Sequence, residues 1–474
     1  MKAVAPFAAA PVCAVAAAVA AVHAAAAVLG DDYWFDEAYM LAIGRFHLDW
    51  GSADQPPLTP VLAAAMDALA ADSVLLLRLP AVLATAGAVV MAALIARELG
   101  GDRRAQSVTA VAQATGVWVT LSGHWLTPYA LEPVQWLLLI WLMVRWVRTR
   151  HDRLLLAAGV VAGIAALTKF QVLLLCAVLL VTVLLFGPRE LLRRPLLWAG
   201  GAVGALVAAP TLWWQHRHGW PQLQMTQIVA GEADVLYGGR PGIAVQLLVF
   251  AGLAGAVLVA YGLWRMVRDE TLRPYRFVAA TSVVLFVVFV ATAGRPYYLC
   301  GLYAPLAAAG ALGFQRRRES RPAARRWAVW PAAALSVAVA AGALALSVTF
   351  TRSDVGERIA RDTGAAYGTL SADERARTAV IAESYVVAAY LDAHAHRHGL
   401  PRAFSFSRSY GYFPPPEPDH DSALYVGADD SRVRPFFADS RIVAPIGDDM
   451  HVYLMTDRHR PWPEIWARLQ TLTV

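Results

Sequence analysis

The sequence predicts a polytopic α-helical membrane protein of about eleven transmembrane helices, followed by a C-terminal extracytoplasmic α/β domain. Three observations predict it. Hydrophobic residues make up 58% of the 474 positions and charged residues only 16%, against about 25% charged in a soluble protein; mean hydropathy is +0.47. The apolar residues gather in runs of spanning or near-spanning length. The arginines gather between those runs, and they do so on alternate sides.

The runs lie at 5–30, 73–96, 105–121, 131–147, 154–168, 170–187, 196–213, 243–264, 277–293, 297–314 and 327–349. Lys2 and the Ala-rich stretch behind it have features of a signal peptide, but the first run far exceeds the ~7–15 residues of a signal h-region and reads as an uncleaved anchor. The runs 154–168 and 170–187 are short for a ~30 Å hydrocarbon core. They meet at "LTKFQ" and read as a hairpin whose tip dips into the membrane.

From a cytoplasmic N-terminus, the inside loops carry Arg97, Arg103 and Arg104, then Arg145, Arg148, Arg150 and Arg153, then Arg189, Arg193 and Arg194. Arg265, Arg268, Arg273, Arg276 and the "RRRESRPAARR" stretch at 316–326 follow. The outside loops before the tail hold little beyond Arg45, Lys169, Arg217, Arg240 and Arg295. This is the positive-inside pattern. It accounts for the net charge of +6 without nucleic acid, and it places the loop 31–72 and the tail outside the cytoplasm. Cys13, Cys176 and Cys300 all fall in or beside apolar runs and lack metal-ligand spacing.

Two domains follow: residues 1–349 as a membrane domain and 350–474 as the α/β domain. Within loop 31–72, "FDEAYMLAIGRFH" and "LTPVLAAAMDALA" show helical spacing on either side of Pro56-Pro57. They predict two helices in the interface plane. In the tail, "TAVIAE", "RAFSFS", "SALYVGA", "RIVAPI" and "HVYLMTD" predict strands; "SYVVAAYLDAHAHRHG" and "PWPEIWARLQ" predict helices. His394 and His398 share a helix face without an adjacent carboxylate, which reads as solvated surface rather than a metal tract.

The chemistry-bearing residues collect at outer ends of spans. Asp36 and Glu37 sit beside Tyr33, Trp34 and Tyr39, an aromatic set suited to a sugar face or to the lipid interface. Asp31 and Asp32 read as charges that begin a helix. Glu132 opens the fourth span, Lys169 lies at the hairpin tip, Arg78 lies inside the second span, and Arg295 precedes Tyr297 and Tyr298. Ionisable groups at membrane depth are costly and point to function. Carboxylates facing cations at this boundary suit a general base for a hydroxyl and stabilisation of a phosphate leaving group. His124 and "WWQHRHGWP", with Trp214, Gln215, His216 and His218, are secondary: a gate for a lipid donor or an interfacial aromatic belt.

The blocks "FDEAYMLAIGRF", "QPPLTPVL", "LLRLPAVL", "GHWLTPYALEPVQW", "AGIAALTKFQVLLL", "PTLWWQHRHGWP" and "GRPYYLCGLYAPLAAAGA" together resemble the GT-C glycosyltransferases over residues 1–315. The branch they resemble holds the protein O-mannosyltransferases and the aminoarabinose transferases of lipid A. The tail is similar to the external domain of actinobacterial relatives. The resemblance implies inverting transfer from a polyprenyl-phosphate-sugar donor to a hydroxyl on a lipid, glycan or protein acceptor at the outer face of the cytoplasmic membrane. It implies Asp36 as general base with Glu37 its neighbour, and Glu132 at a second acidic position where relatives often carry Asp. Lys169 and the "RPYY" segment (Arg295, Tyr297, Tyr298) are implied at the lipid phosphate, with Arg78, His124 and Tyr39 as further donor or substrate contacts. Some relatives bind a divalent metal ion, so a metal is an open cofactor here. A transporter or flippase of a lipid-linked sugar is the alternative, although it would favour polar sites at the midplane. A sensor or scaffold leaves Asp36-Glu37 and Lys169 unexplained.

Overall fold

In hydrocarbon every backbone N–H and C=O must be satisfied within its own segment, so apolar runs rich in Ala and Leu become helices. A computed structural model describes residues 4–320 and 329–473. Lys2, and Arg321, Arg325 and Arg326 of the last arginine cluster, lie outside the described residues.

Among the described residues six helices are long and apolar enough to cross a membrane, and a seventh crossing is available if a bent pair counts as one span. Ala9–Leu29, Val74–Glu98, Pro128–Thr149 and Pro195–Arg217 coincide with expected runs. So do Arg276–Ala291 and Val329–Thr351. The chain is an integral membrane protein. The other expected runs are helical but interrupted or short. The 105–121 run breaks at Thr115-Gly116 into Arg103–Ala114 and Val117–Ser122. The 243–264 run divides into Gly239–Val249 and Leu253–Arg268, bent by 94°. Gly252 makes that bend with φ +77°, and a Cβ there would collide with the carbonyl oxygen of Thr115. The hairpin is present as Arg153–Ala166 and Gln171–Phe186, of 14 and 16 residues. At 1.5 Å per residue each is shorter than a ~30 Å core.

By contact the chain divides into two compact units. One comprises Met1–Leu29, Arg78–Leu212 and Val229–Val348; the other comprises Gly30–Leu77, Trp213–Ile228 and Thr349–Val474. In the first, helices approach through glycine. Gly159 and Gly163 on one helix meet Gly200 and Gly204 on another, and a Cβ at any of the four would run into the opposing backbone. Gly262 and Gly310 repeat the device between Leu253–Arg268 and Tyr303–Ser320. Large apolar side chains such as Leu184, Leu185, Phe186 and Leu206 remain on its surface, as a lipid-facing surface requires.

The second unit is built on a five-stranded sheet of order β2-β1-β3-β5-β4. The strands are β1 Thr378–Ala382, β2 Ala403–Ser405, β3 Ser422–Gly427, β4 Phe437–Ile446 and β5 Met450–Arg458. β2, β1 and β3 are parallel; β5 is antiparallel to β3 and β4. The helix Tyr385–Ala393 makes the β1-to-β2 crossover, and the Trp462–Leu469 helix buries Trp462, Ile465 and Trp466 in the core. The two loop helices form as expected, at Phe35–Phe46 and Leu58–Leu69. The first is buried from Glu37 to Gly44, because it packs on both Leu58–Leu69 and Tyr385–Ala393. Gly44 permits this: a Cβ there would stand 2.7 Å from the Pro60 carbonyl oxygen.

Candidate active site

Except for Arg78 and His124, the expected site residues fall into one group in each compact unit. In the unit holding residues 78–212 and 229–348, Lys169 caps the turn between the hairpin helices. Its Nζ lies 4.8 Å from the Tyr297 ring centre and 4.4 Å from that of Tyr298. Tyr297 stacks on Trp118 at 4.5 Å and 12°, and Tyr129 leans on both. Two aromatic faces attract an ammonium by about 0.5–2 kcal/mol each, more when water is excluded. They do so without neutralising it. Lys169 is also the charge acting on Glu132, whose carboxylate is 6% exposed and whose Oε1 has no hydrogen-bond partner among the described residues.

Arg295 belongs to the same stretch as the two tyrosines and is 9% exposed. Its Nη2 is ion-paired with Glu232, its guanidinium lies 5.4 Å from the Tyr237 ring centre, and its Nη1 is buried without a hydrogen-bond partner among the described residues. A buried donor on Arg295 and a buried acceptor on Glu132, each left unsatisfied, cost free energy unless a ligand pairs with them. Arg78 and His124 lie elsewhere in this unit. Arg78 is fully buried and donates from Nη1 to the Ala27 carbonyl at 3.1 Å. His124 Nδ1 stands 3.2 Å from His23 Nδ1.

In the other unit, Asp36 occupies the first turn of Phe35–Phe46, half-buried, where the helix dipole favours its negative charge. Glu37 is fully buried. Its Oε2 accepts from the Trp34 backbone N–H at 3.1 Å, the reciprocal half of a capping box. The Tyr39 hydroxyl donates to Asp54 Oδ1 at 2.8 Å and accepts from the Ser409 N–H at 3.1 Å. Its ring lies between those of Tyr385 and Tyr410.

Several partners of this loop carried no local signal in the sequence. Asp32 is buried rather than a bare helix-start charge: Oδ1 accepts from the Tyr33 N–H at 2.7 Å and meets His394 Nε2 at 3.0 Å. His394 is itself buried, and Glu357 binds His398 at 2.8 Å beside it. The expectation of a solvated histidine face is therefore overturned for His394, because the pairing carboxylates come from distant segments. Arg45 reaches Asp67 with two nitrogens, at 2.8 and 2.6 Å, Asp72 at 2.7 Å, and the Ala393 carbonyl at 2.9 Å. Burial alone would raise the Asp67 carboxyl, but hydrogen bonds and charge from Arg45 hold it below its ordinary value. Trp214 donates to Asp49 Oδ2 at 2.8 Å and Gln215 to the Ser52 carbonyl at 2.9 Å, so these two members of "WWQHRHGWP" are structural ties. Trp213 stays exposed.

Among the described residues no three His, Cys, Asp or Glu side chains converge as a metal site. The acid expected beside a cation, Glu132, stands with Lys169. The described residues therefore form no protein cage for a divalent ion.

The helical bundle with its appended sheet domain shares its overall fold with solved structures of other membrane proteins. The structural match is to ArnT from Cupriavidus metallidurans in the apo state, with a TM-score of 0.65 at 17% identity, covering 93% of this chain and 96% of that one. The same protein bound to undecaprenyl phosphate matches with a TM-score of 0.62 at 16% identity, over 93% and 97% of the two chains. An oligosaccharyltransferase from Archaeoglobus fulgidus matches at 0.52 and 13% identity, over 82% of this chain and 62% of that one. In sequence, residues 54–214 match the dolichyl-phosphate-mannose-protein mannosyltransferase family. The lipid A galacturonosyltransferase RgtD of Rhizobium johnstonii is 29% identical over 153 residues, 31% of this chain and 32% of that relative. The chain thus spans about a third of the length of that curated relative. The family match includes Arg78, His124, Glu132 and Lys169, but neither Asp36 nor Arg295.

Proposed function

We propose that the protein is an inverting glycosyltransferase of the cytoplasmic membrane. It moves a sugar from a polyprenyl-phosphate donor to a hydroxyl acceptor on the outer face, where loop 31–72 and the tail also lie. The observation that carries this reading is the Lys169 ammonium clasped by Tyr297 and Tyr298, in the same unit as the buried, incompletely paired Arg295. Aromatic clasping fixes the cation in place, as a preorganised anion-binding group requires. The ArnT structure with undecaprenyl phosphate supports a lipid phosphate as that anion.

In this mechanism the acceptor oxygen attacks the anomeric carbon on the face opposite the phosphate. The bond from that carbon to the phosphate oxygen breaks, and the phosphate leaves with the electron pair. Asp36 takes the acceptor's proton. Lys169 and Arg295 stabilise the charge that grows on the departing phosphate. Glu132 orients Lys169, and Glu37 fixes the turn that presents Asp36; both are positioning residues.

A transporter of a lipid-linked sugar is the second reading, favoured by the helix broken at Gly252, since transporters build sites at interrupted helices. The test is transfer of label from a polyprenyl-phosphate-sugar to acceptor by the purified protein, with donor binding measured alongside. Lys169→Ala and Arg295→Ala should each weaken donor binding by about 10–100-fold, the value of a charge-assisted contact. Lys169→Arg should not restore it, because a planar fork does not fit a point-charge position. Unchanged affinity and rate in both alanine variants removes the phosphate assignment. Donor movement across vesicles without chemical transfer selects the transporter.

A further inference from the structure

The C-terminal domain carries a crevice lined by none of the residues assigned to the transfer step. It has a volume of about 310 Å³, at the lower end of the ~300–1,000 Å³ range of small-ligand pockets. Its walls come from the carboxyl ends of the three parallel strands: Glu383 and Ser384 after β1, Phe406 after β2, and Tyr425 on β3 with Asp429 and Arg432 just beyond. β1 has a parallel neighbour on each side. The chain leaves β1 for β2 and then passes back across it to β3. Strand order therefore reverses at β1, and open α/β sheets bind ligands outside the carboxyl ends of strands at such a point.

The lining chemistry narrows the ligand. Glu383 and Asp429 line the crevice together with Tyr425, and Arg432 is the cation among them. Hydrogen bonds from the Ser431 hydroxyl and N–H hold the Asp429 carboxyl below its ordinary value, so it stays ionised. Glu383 Oε2 accepts from the Ala428 N–H at 2.6 Å, which fixes one oxygen and leaves the side chain placed at the rim. A net negative lining repels phosphates and carboxylates. Fixed carboxylates accept hydroxyl protons, a guanidinium donates to ring or hydroxyl oxygens, and Phe406 and Tyr425 supply an aromatic floor.

We propose that this crevice binds one unit of a neutral or singly cationic saccharide, and that it docks the acceptor glycan to the C-terminal domain. The docking role rests on the glycosyltransferase reading; the binding itself does not. The experiment uses the full-length protein in detergent and ligand-observed saturation-transfer NMR, with methyl glycosides of hexoses and pentoses and one amino-sugar glycoside as probes. Saturation should transfer to at least one glycoside. Glu383→Gln and Arg432→Ala should each weaken that binding by about ten-fold or more, whereas Lys169→Ala should leave it unchanged. Arg432 is exposed, so its variant keeps the test valid if Glu383→Gln disturbs the Ala428 turn. No transfer to any probe at tens of millimolar overturns the proposal. So does binding by both crevice variants as tight as the parent's, or competitive displacement by inorganic phosphate, which would make the crevice an anion site. Sugar transfer is assayed separately: transfer without glycoside binding sinks only the crevice, and binding without transfer sinks only the enzyme reading.

Discussion

The two compact units differ in the contacts that stand out in each. In the membrane unit the close contacts are backbone on backbone, at Gly159 and Gly163 against Gly200 and Gly204 and at Gly262 against Gly310. In the other unit they are charges and hydrogen bonds, with Arg45 paired to Asp67 and Asp72, Asp32 to His394, and Tyr39 to Asp54. The solvent explains the contrast. Lipid tails are as apolar as the helices, so helix association there depends on shape and close approach. A water-facing unit excludes water from its core and can specify that core with polar pairs, each of which must be completed.

Four variants and one control break or sharpen this comparison, and the first concerns chemistry placed on the polar side. Asp36→Asn should lower single-turnover transfer by about 10²–10⁴-fold, the usual contribution of a positioned base, with donor binding retained. Near-normal transfer would falsify the assignment. Asp31, which is exposed, is the control: Asp31→Asn should change stability by no more than about 0.5 kcal/mol and leave the rate alone.

Arg45→Ala comes next. The side chain is 5% exposed, and its loss leaves Asp67 and Asp72 facing each other uncompensated. Breaking such a pair costs about 3–5 kcal/mol. Limited proteolysis should then cut between residues 30 and 77, and resistance equal to the parent's would mean that polar pairing is not what holds this unit. Gly200→Leu is the membrane counterpart. Overpacking costs about 1–3 kcal/mol, read as a lower melting temperature in detergent, and an unshifted melt would show that the helices have room to part.

The last expected effect is a pH slope. Asp392 is fully buried, accepts from the Ala403 N–H and the Tyr410 hydroxyl, each at 2.6 Å, and is pushed up to about 7 by burial. Its folded value lies above the ordinary carboxyl value, so its contribution is full below about pH 4 and is lost as pH rises through about 7. Asp392→Asn should flatten that part of the melting-temperature profile. A slope of the same size in the variant would assign it to another group.

What the sequence made legible was local. All five strands of the sheet, the two loop helices and the hairpin at Lys169 form where alternation, helical spacing and punctuation placed them. The helix Val355–Gly368 was missed because its polar face masks a short apolar stripe. The expected count of eleven spans exceeds the six or seven long apolar crossings among the described residues; apolarity measures length but not the breaks at Gly116 and Gly252. Of the candidate site, Lys169, Tyr297 and Tyr298 were named from membrane depth and resemblance, and they cluster. The Asp32–His394 pair joins positions 362 residues apart, and Asp54 met Tyr39 and Ser409 only after folding. No spacing rule reaches across such gaps.

The burial of Phe35–Phe46 against Tyr385–Ala393 has a practical consequence for dissection by truncation. Deleting the chain after residue 349 would remove the Tyr385 and Tyr410 rings that flank Tyr39 as well as the carbonyls that Arg45 binds. A dead truncated protein would therefore report a collapsed loop rather than the contribution of the sheet domain. Point substitutions at the sheet's own rim are the cleaner instrument, because they leave that helix seated while testing what the domain adds.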